Sequence, residues 1–158
     1  MTVRDLLLIQ MDHAWAGTCE ALENISTEFA GWQSEIYRDE PRRKNWPLPG
    51  TIGWHVVHLQ LCKEEYRQVI INRPRNVAEP EPLSIEDFGK QLSALHQAHD
   101  ALRATVASLT DAELSDSIAN GQVLHEFISM AMRHDTWHAS QITLAKRLWR
   151  AGKNTRVG

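Results

Sequence analysis

Apolar residues recur at alternating spacings of three and four along four segments of the chain, and no period-two alternation runs long enough to argue for a sheet. The first segment, residues 3 to 25, puts Val3, Leu6, Leu7, Ala14, Gly17, Ala21 and Ile25 on one stripe, with His13 at its edge. The second, residues 52 to 72, repeats Ile52, Val56, Leu59, Cys62, Tyr66, Val69 and Ile70. Thr51 is its expected N-cap, after two prolines and a glycine in Trp46-Pro47-Leu48-Pro49-Gly50 stop any helix. The third opens at Ser84-Ile85-Glu86-Asp87, a near capping box with Asp where Glu or Gln is usual. It carries Ile85, Phe88, Leu92, Leu95, His99, Leu102, Val106 and Leu109. The fourth, residues 122 to 150, carries Leu124, Phe127, Ala131, His134, His138, Gln141, Ala145 and Leu148 and stops at Arg150-Ala151-Gly152.

The connections are uneven. A long one containing Trp32 and Trp46 joins the first two segments, and a linker of about ten residues, punctuated by Arg73-Pro74 and Glu79-Pro80-Glu81-Pro82, is long enough for a crossover. Thr110-Asp111-Ala112-Glu113 reads as a helix start that Ser115, Asp116, Ser117 and Gly121 cut short. Four amphipathic helices can bury their seams against one another, so the expected fold is all-α: a four-helix bundle with long crossover connections. One domain should span residues 1–150, leaving 151–158 as a short polar C-terminal tail.

With 158 residues, 42% of them hydrophobic, the chain can bury a core without disulfide staples. Its 17 basic and 20 acidic side chains are dispersed and sum to −3, which leaves no electrostatic footprint for nucleic acid. Arg42-Arg43-Lys44 sits beside Asp39 and Glu40 and reads as a solvated loop. No stretch approaches the ~18 apolar residues of a membrane span, and Leu6-Leu7-Leu8-Ile9 is too short for a signal-peptide core. Cys19 and Cys62 lie in different helices and fit reduced thiols, so a soluble cytoplasmic protein is expected.

Candidate chemistry lies in the eight histidines. His134 and His138, four residues apart, share one helix face and take seam positions where Leu or Ile would ordinarily stand. Burying an unsatisfied polar group costs about 1–3 kcal/mol, a cost that a bound metal removes for the nitrogens it takes. Two protein ligands rarely hold a divalent ion, so a third is required. The second helix offers His55 and His58, of which periodicity favours His55, nearer the middle of the apolar stripe. His13 and His99 also approach the interior and read as hydrogen-bonded core residues, and Cys62, one turn beyond His58, reads as core packing.

Two lookalikes fail. His125-Glu126-Phe127-Ile128-Ser129 lacks the second histidine of a zinc-peptidase helix and faces away from the seam. Asp135-Thr136-Trp137-His138 offers a carboxylate and histidine at di-iron spacing only once, with Asp135 on the outer face. A mononuclear site is therefore expected. Trp54 and Trp137 read as aromatic packing beside it, and Gln141 as a polar packing residue able to orient a ligand.

The segment Thr51-Ile52-Gly53-Trp54-His55-Val56-Val57-His58-Leu59, followed some 75 residues later by His134-x-x-x-His138-x-x-Gln141-Ile142, resembles the DinB-like (DinB/YfiT) superfamily. Its pattern has a Ser/Thr-Ile-Gly-Trp stretch leading to His-Leu or His-Ile, then a late His-x-x-x-His followed by Gly-Gln-Ile. Carried over residue by residue, the resemblance implies a metal triad of His58, His134 and His138. Ser140 stands where the family often has Gly, and Ala139 where Arg is frequent. Both changes fall beside the ligands.

Three imidazoles leave a coordination position open for water or substrate. The resemblance implies a metal-binding four-helix bundle, often a homodimer, with thiol-dependent transferases and isomerases among its members. Zinc and nickel both suit imidazole. Two functions follow as expectations. One is a metal-dependent enzyme performing thiol transfer or hydrolysis on a small molecule, with a low-molecular-weight thiol as cosubstrate; no catalytic residue is assigned, since Glu64 and Glu65 lie on the polar side of their helix. The other is a noncatalytic, stress-associated interaction module stabilised by its metal.

Overall fold

A computed structural model describes residues 1–41, 43–73, 87–118 and 121–154. Its elements are α1 (Val3–Leu22), a short α2 (Thr27–Ala30), α3 (Ile52–Asn72), α4 (Phe88–Ala107) and α5 (Leu124–Asn154), with single 3₁₀ turns at Glu35–Tyr37 and Glu113–Ser115. Among the described residues there is no strand; Ser117 and Val123 make one isolated bridge.

Four of the five described helices start where a side chain takes up a free amide. Thr2 and Asp5 form a reciprocal capping box at α1, and Ser26 caps α2. Thr51 caps α3 as expected by accepting from the Trp54 amide at 3.1 Å. α4 begins at an Asp87 cap that accepts from the Lys90 amide; the capping box expected at Ser84 lies outside the described residues, as do Ile85 and the proline-rich linker. The helix start expected at Thr110 does end in one 3₁₀ turn. α5 runs through Gly152 to Asn154, four residues beyond the expected stop. A lone glycine costs a helix only about 1 kcal/mol, too little to end one that is already long.

Side-chain partners give the helix directions. Asp12 pairs with Arg103 and Arg4 reaches the Leu109 carbonyl, so α1 and α4 are antiparallel. Lys146 donates to the Ala21 carbonyl while Met11 packs in one core cluster with Met132, so α1 and α5 are parallel. His55 meets His138 and Ile70 shares a cluster with Ile128, which makes α3 antiparallel to α5. α3 and α4 therefore run the same way, and all four long helices pack pairwise around two apolar clusters.

The burial pattern corrects the α1 stripe: Leu7, Met11, Thr18, Ala21 and Leu22 face inward, whereas Val3 and Leu6 are 49% and 43% exposed. In α4 the expected seam of Phe88, Leu95, His99, Leu102 and Val106 is buried. Two features of the α2–α3 region set the position of the α3 histidines. A Cβ on Gly53 would meet the Ala30 carbonyl at 3.3 Å, so a glycine lets α3 start tight against α2. Trp46 folds back from the connection and is buried with Val57 and Leu61, beside Trp54.

Candidate metal centre

Two pairs of residues spaced by one helical turn face each other across the α3–α5 contact: His58 and Cys62 on α3, His134 and His138 on α5. The Nε2 atom of His134 lies 3.3 Å from Nε2 of His58 and 3.0 Å from Nε2 of His138. The Sγ atom of Cys62 is 3.5 Å from Nε2 of His58, and ligand atoms of His58, Cys62 and His134 all lie within 4.8 Å of one another. His138 is fully buried, while His58, Cys62 and His134 are half-buried.

The outward-facing nitrogens of two of these rings have partners. Nδ1 of His138 meets Nδ1 of the buried His55 at 2.7 Å, and Nδ1 of His134 meets the Tyr66 hydroxyl at 3.2 Å. His55 is thus behind His138, on the side away from the convergence. When a histidine binds metal through one nitrogen, the other customarily donates to a fixed acceptor that sets tautomer and ring orientation, and these contacts have that form. Trp54 stacks on His58 with centroids 4.9 Å apart and planes 9° from parallel, and Trp137 packs edge-on to His138 while remaining 53% exposed.

Burial disfavours charge on every ring. It pushes His55 and His58 down to about 4, helped by His58 in the first case and by His134 in the second. His134 is lowered by burial against the opposing pull of Asp135, and His138 is lowered by burial and then by His55, His134 and His58. The imidazoles are consequently neutral at neutral pH, the form in which they bind metal. Burial and the nearby Glu65 push the Cys62 thiol up to about 12, and burial also raises the Tyr66 phenol.

The donor set fits a divalent ion. Two imidazole nitrogens at 2.0–2.1 Å from one ion stand about 2.9–3.4 Å apart for the usual coordination angles, the range in which the two Nε2 pairs fall. Hydrogen bonding alone serves the arrangement poorly. The single Nε2 of His134 carries one hydrogen or one lone pair, yet faces two other Nε2 atoms.

Several sequence expectations change here. Cys62 belongs to the histidine cluster rather than to core packing. Asp135 is buried, not on the outer face, and its Oδ2 takes a 2.5 Å ion pair from Nζ of the equally buried Lys63. His13 is exposed, so it does not approach the interior, whereas His99 is buried against Trp15, with centroids 4.0 Å apart, and its Nδ1 has no hydrogen-bond partner among the described residues. His125 is half-buried, with Nδ1 3.0 Å from the Leu114 carbonyl. Gln141 is half-buried beside a small cavity that His55 also lines.

Lys63 and the Tyr66 hydroxyl escaped the sequence reading, although spacing held a signal for the first. Val56, Leu59, Lys63 and Ile70 follow one helical seam, as do Ile128, Ala131, Asp135, His138 and Ile142. A groove of about 780 Å³ between α1 and α5 is lined by residues such as Gln10, Gln122 and Arg133 and by none of the four clustered histidines.

An all-helical protein in which two facing helices bring imidazoles and a thiol together is competent to bind a divalent metal. The chain belongs to the DinB superfamily, whose family model matches residues 10–142 and so spans His55, His58, Cys62, His134 and His138. No curated protein and no solved structure matches it.

Proposed function

We propose that the protein binds one divalent ion, zinc or nickel, through Nε2 of His58, His134 and His138, on a four-helix bundle with a long crossover between α3 and α4. The observation that carries this reading is the position of the His134 Nε2 between two other Nε2 atoms, at 3.3 and 3.0 Å. His55 and Tyr66 hold the rings of His138 and His134 from behind, so the site is oriented before any ion arrives.

The activity we propose for this centre is thiol transfer or hydrolysis on a small molecule, with a low-molecular-weight thiol as cosubstrate in the first case. A metal bound here would supply a Lewis acid that holds water or a thiol in its nucleophilic form at neutral pH. The chain's own contribution is neutral imidazoles and a wall made by Trp54 and the exposed Trp137. A homodimer is also proposed, supported by Trp137 and Leu144, two exposed apolar side chains two turns apart on α5, and checked by light scattering in solution.

Elemental analysis tests the triad. The purified protein should carry about one equivalent of metal, and His58→Ala and His134→Ala should carry none; full occupancy in both variants would overturn the triad. A second reading, in which the metal serves only to tie α3 to α5, is favoured by the proximity of Cys62 Sγ to His58 Nε2. Chelation separates the two. Loss of the fold supports the structural role, whereas an intact apo protein that reloads supports an exchangeable, catalytic one.

A further inference from the structure

We infer that Cys62 is a fourth protein ligand, so that the ion held by His58, His134 and His138 rests in a three-nitrogen, one-sulfur site. The inference rests on the metal reading above and extends it to a residue outside the triad. Its basis is placement. His58 and Cys62 stand one turn apart on α3, opposite His134 and His138 one turn apart on α5, so each helix presents two ligand side chains on the same face.

The distances from Cys62 to two of the three histidines, His58 and His134, agree with a shared ion. With zinc–sulfur near 2.3 Å and zinc–nitrogen near 2.05 Å, a tetrahedral site puts a sulfur and a nitrogen about 3.5 Å apart. Sγ of Cys62 lies 3.5 Å from Nε2 of His58, and it is within 4.8 Å of the His134 ligand atom. Lys63, the next residue, is pinned to Asp135, itself the neighbour of His134, by the buried 2.5 Å ion pair. That pair fixes the axial register of the two helices immediately beside the ligands.

The ligand set has chemical consequences. On metal binding the thiol gives its proton to solvent and the sulfur binds as thiolate, a softer donor that favours zinc and nickel over magnesium or manganese. Four protein ligands also close the resting tetrahedron. A substrate must then either displace Cys62 or enter as a fifth ligand, so the open position expected of a three-histidine centre is conditional on what Cys62 does.

Cobalt(II) substitution in thiol-free buffer tests the assignment. The wild-type protein should bind one cobalt and show an intense sulfur-to-cobalt charge-transfer band in the near ultraviolet, lost in Cys62→Ser with cobalt still bound and retained in Cys19→Ser. Cobalt bound by the wild type without that band would overturn the role of Cys62 and leave the triad standing. A wild type that binds no cobalt would overturn both. Should Cys62→Ser fail to fold, X-ray absorption of the zinc-loaded wild type decides alone: one sulfur near 2.3 Å supports the ligand, and a shell of light atoms only refutes it.

Discussion

His55 and His138 meet through their Nδ1 atoms at 2.7 Å, deep in the contact between α3 and α5. One of these nitrogens donates and the other accepts, and a His138 that presents its Nε2 lone pair to an ion must carry its hydrogen on Nδ1. His55 is then the acceptor. Replacing it with Phe keeps an aromatic ring but removes the acceptor, and loss of such a partner typically weakens metal binding 10–100-fold. Competition against a chromogenic chelator should show a drop of about that size for His55→Phe. Unchanged affinity would mean that the pair has no part in holding the ring.

The Lys63–Asp135 pair gives a prediction about stability rather than binding. Both side chains are almost wholly buried, and Lys63 also lies over the Trp15 ring at 5.1 Å. Removing one member leaves an uncompensated buried charge, whereas removing both together can be close to neutral. In urea unfolding, Lys63→Met alone should cost about 3–5 kcal/mol. Lys63→Met with Asp135→Leu should recover most of that loss. A double variant as unstable as the single would show that the pair's own attraction, not the stranded charge, dominates.

The helices and the histidine spacing were legible because both rest on local rules. Thr51 capped α3 as its hydroxyl and the preceding prolines foretold, and the His134–His138 spacing put both rings on the face toward α3. Choosing between His55 and His58 was a different problem. Both sit on the inward side of α3, and which one turns its Nε2 to the α5 pair depends on the register of α3 against α5, which no local pattern encodes. Periodicity mildly favours the more buried residue, His55, and the family resemblance favours His58; in the fold His55 lies against Nδ1 of His138, and His58 lies with its Nε2 3.3 Å from Nε2 of His134. The same gap hid Asp135. A carboxylate on a helix reads as an outer-face residue until the lysine opposite it is known, and Lys63 comes from a segment 72 positions away. Val3 and Leu6 erred the other way, as apolar residues near a helix start that the register of α1 leaves exposed.

Gly50 carries a prediction for the connection that brings Trp46 to the site. Its φ of +71° is left-handed backbone that glycine adopts freely, and a Cβ there would lie 2.3 Å from the Tyr37 ring. Strain and collision act together in Gly50→Ala, which should lose on the order of 1–3 kcal/mol by thermal or urea unfolding. Pairing it with Tyr37→Ala relieves the collision but not the φ strain, so the double variant should regain part of what the glycine substitution alone loses. No loss in Gly50→Ala would mean that the loop re-forms around the methyl group.

His99 predicts how the metal-free protein responds to acid. Burial, reinforced by Lys63, pushes its pKa down to about 3 from the ordinary histidine value of 6.5, against a smaller opposing pull from Asp12, with Arg103 and His96 adding to the depression. Between those values the unfolded chain binds a proton at this site that the folded chain refuses. Stability from the neutral ring is therefore fully present above about pH 6.5 and is lost as pH falls toward 3. One such group contributes a slope of at most about 1.4 kcal/mol per pH unit. His55 and His58, depressed to about 4, act in the same direction, so the total acid sensitivity belongs to several rings. Comparing wild type with His99→Leu in the presence of chelator isolates one of them. The variant loses the Trp15 stacking and its absolute stability shifts, but its stability curve between about pH 6.5 and 4 should be shallower by up to one proton's worth. Parallel curves would show that His99 takes up its proton in the folded state as readily as in the unfolded one.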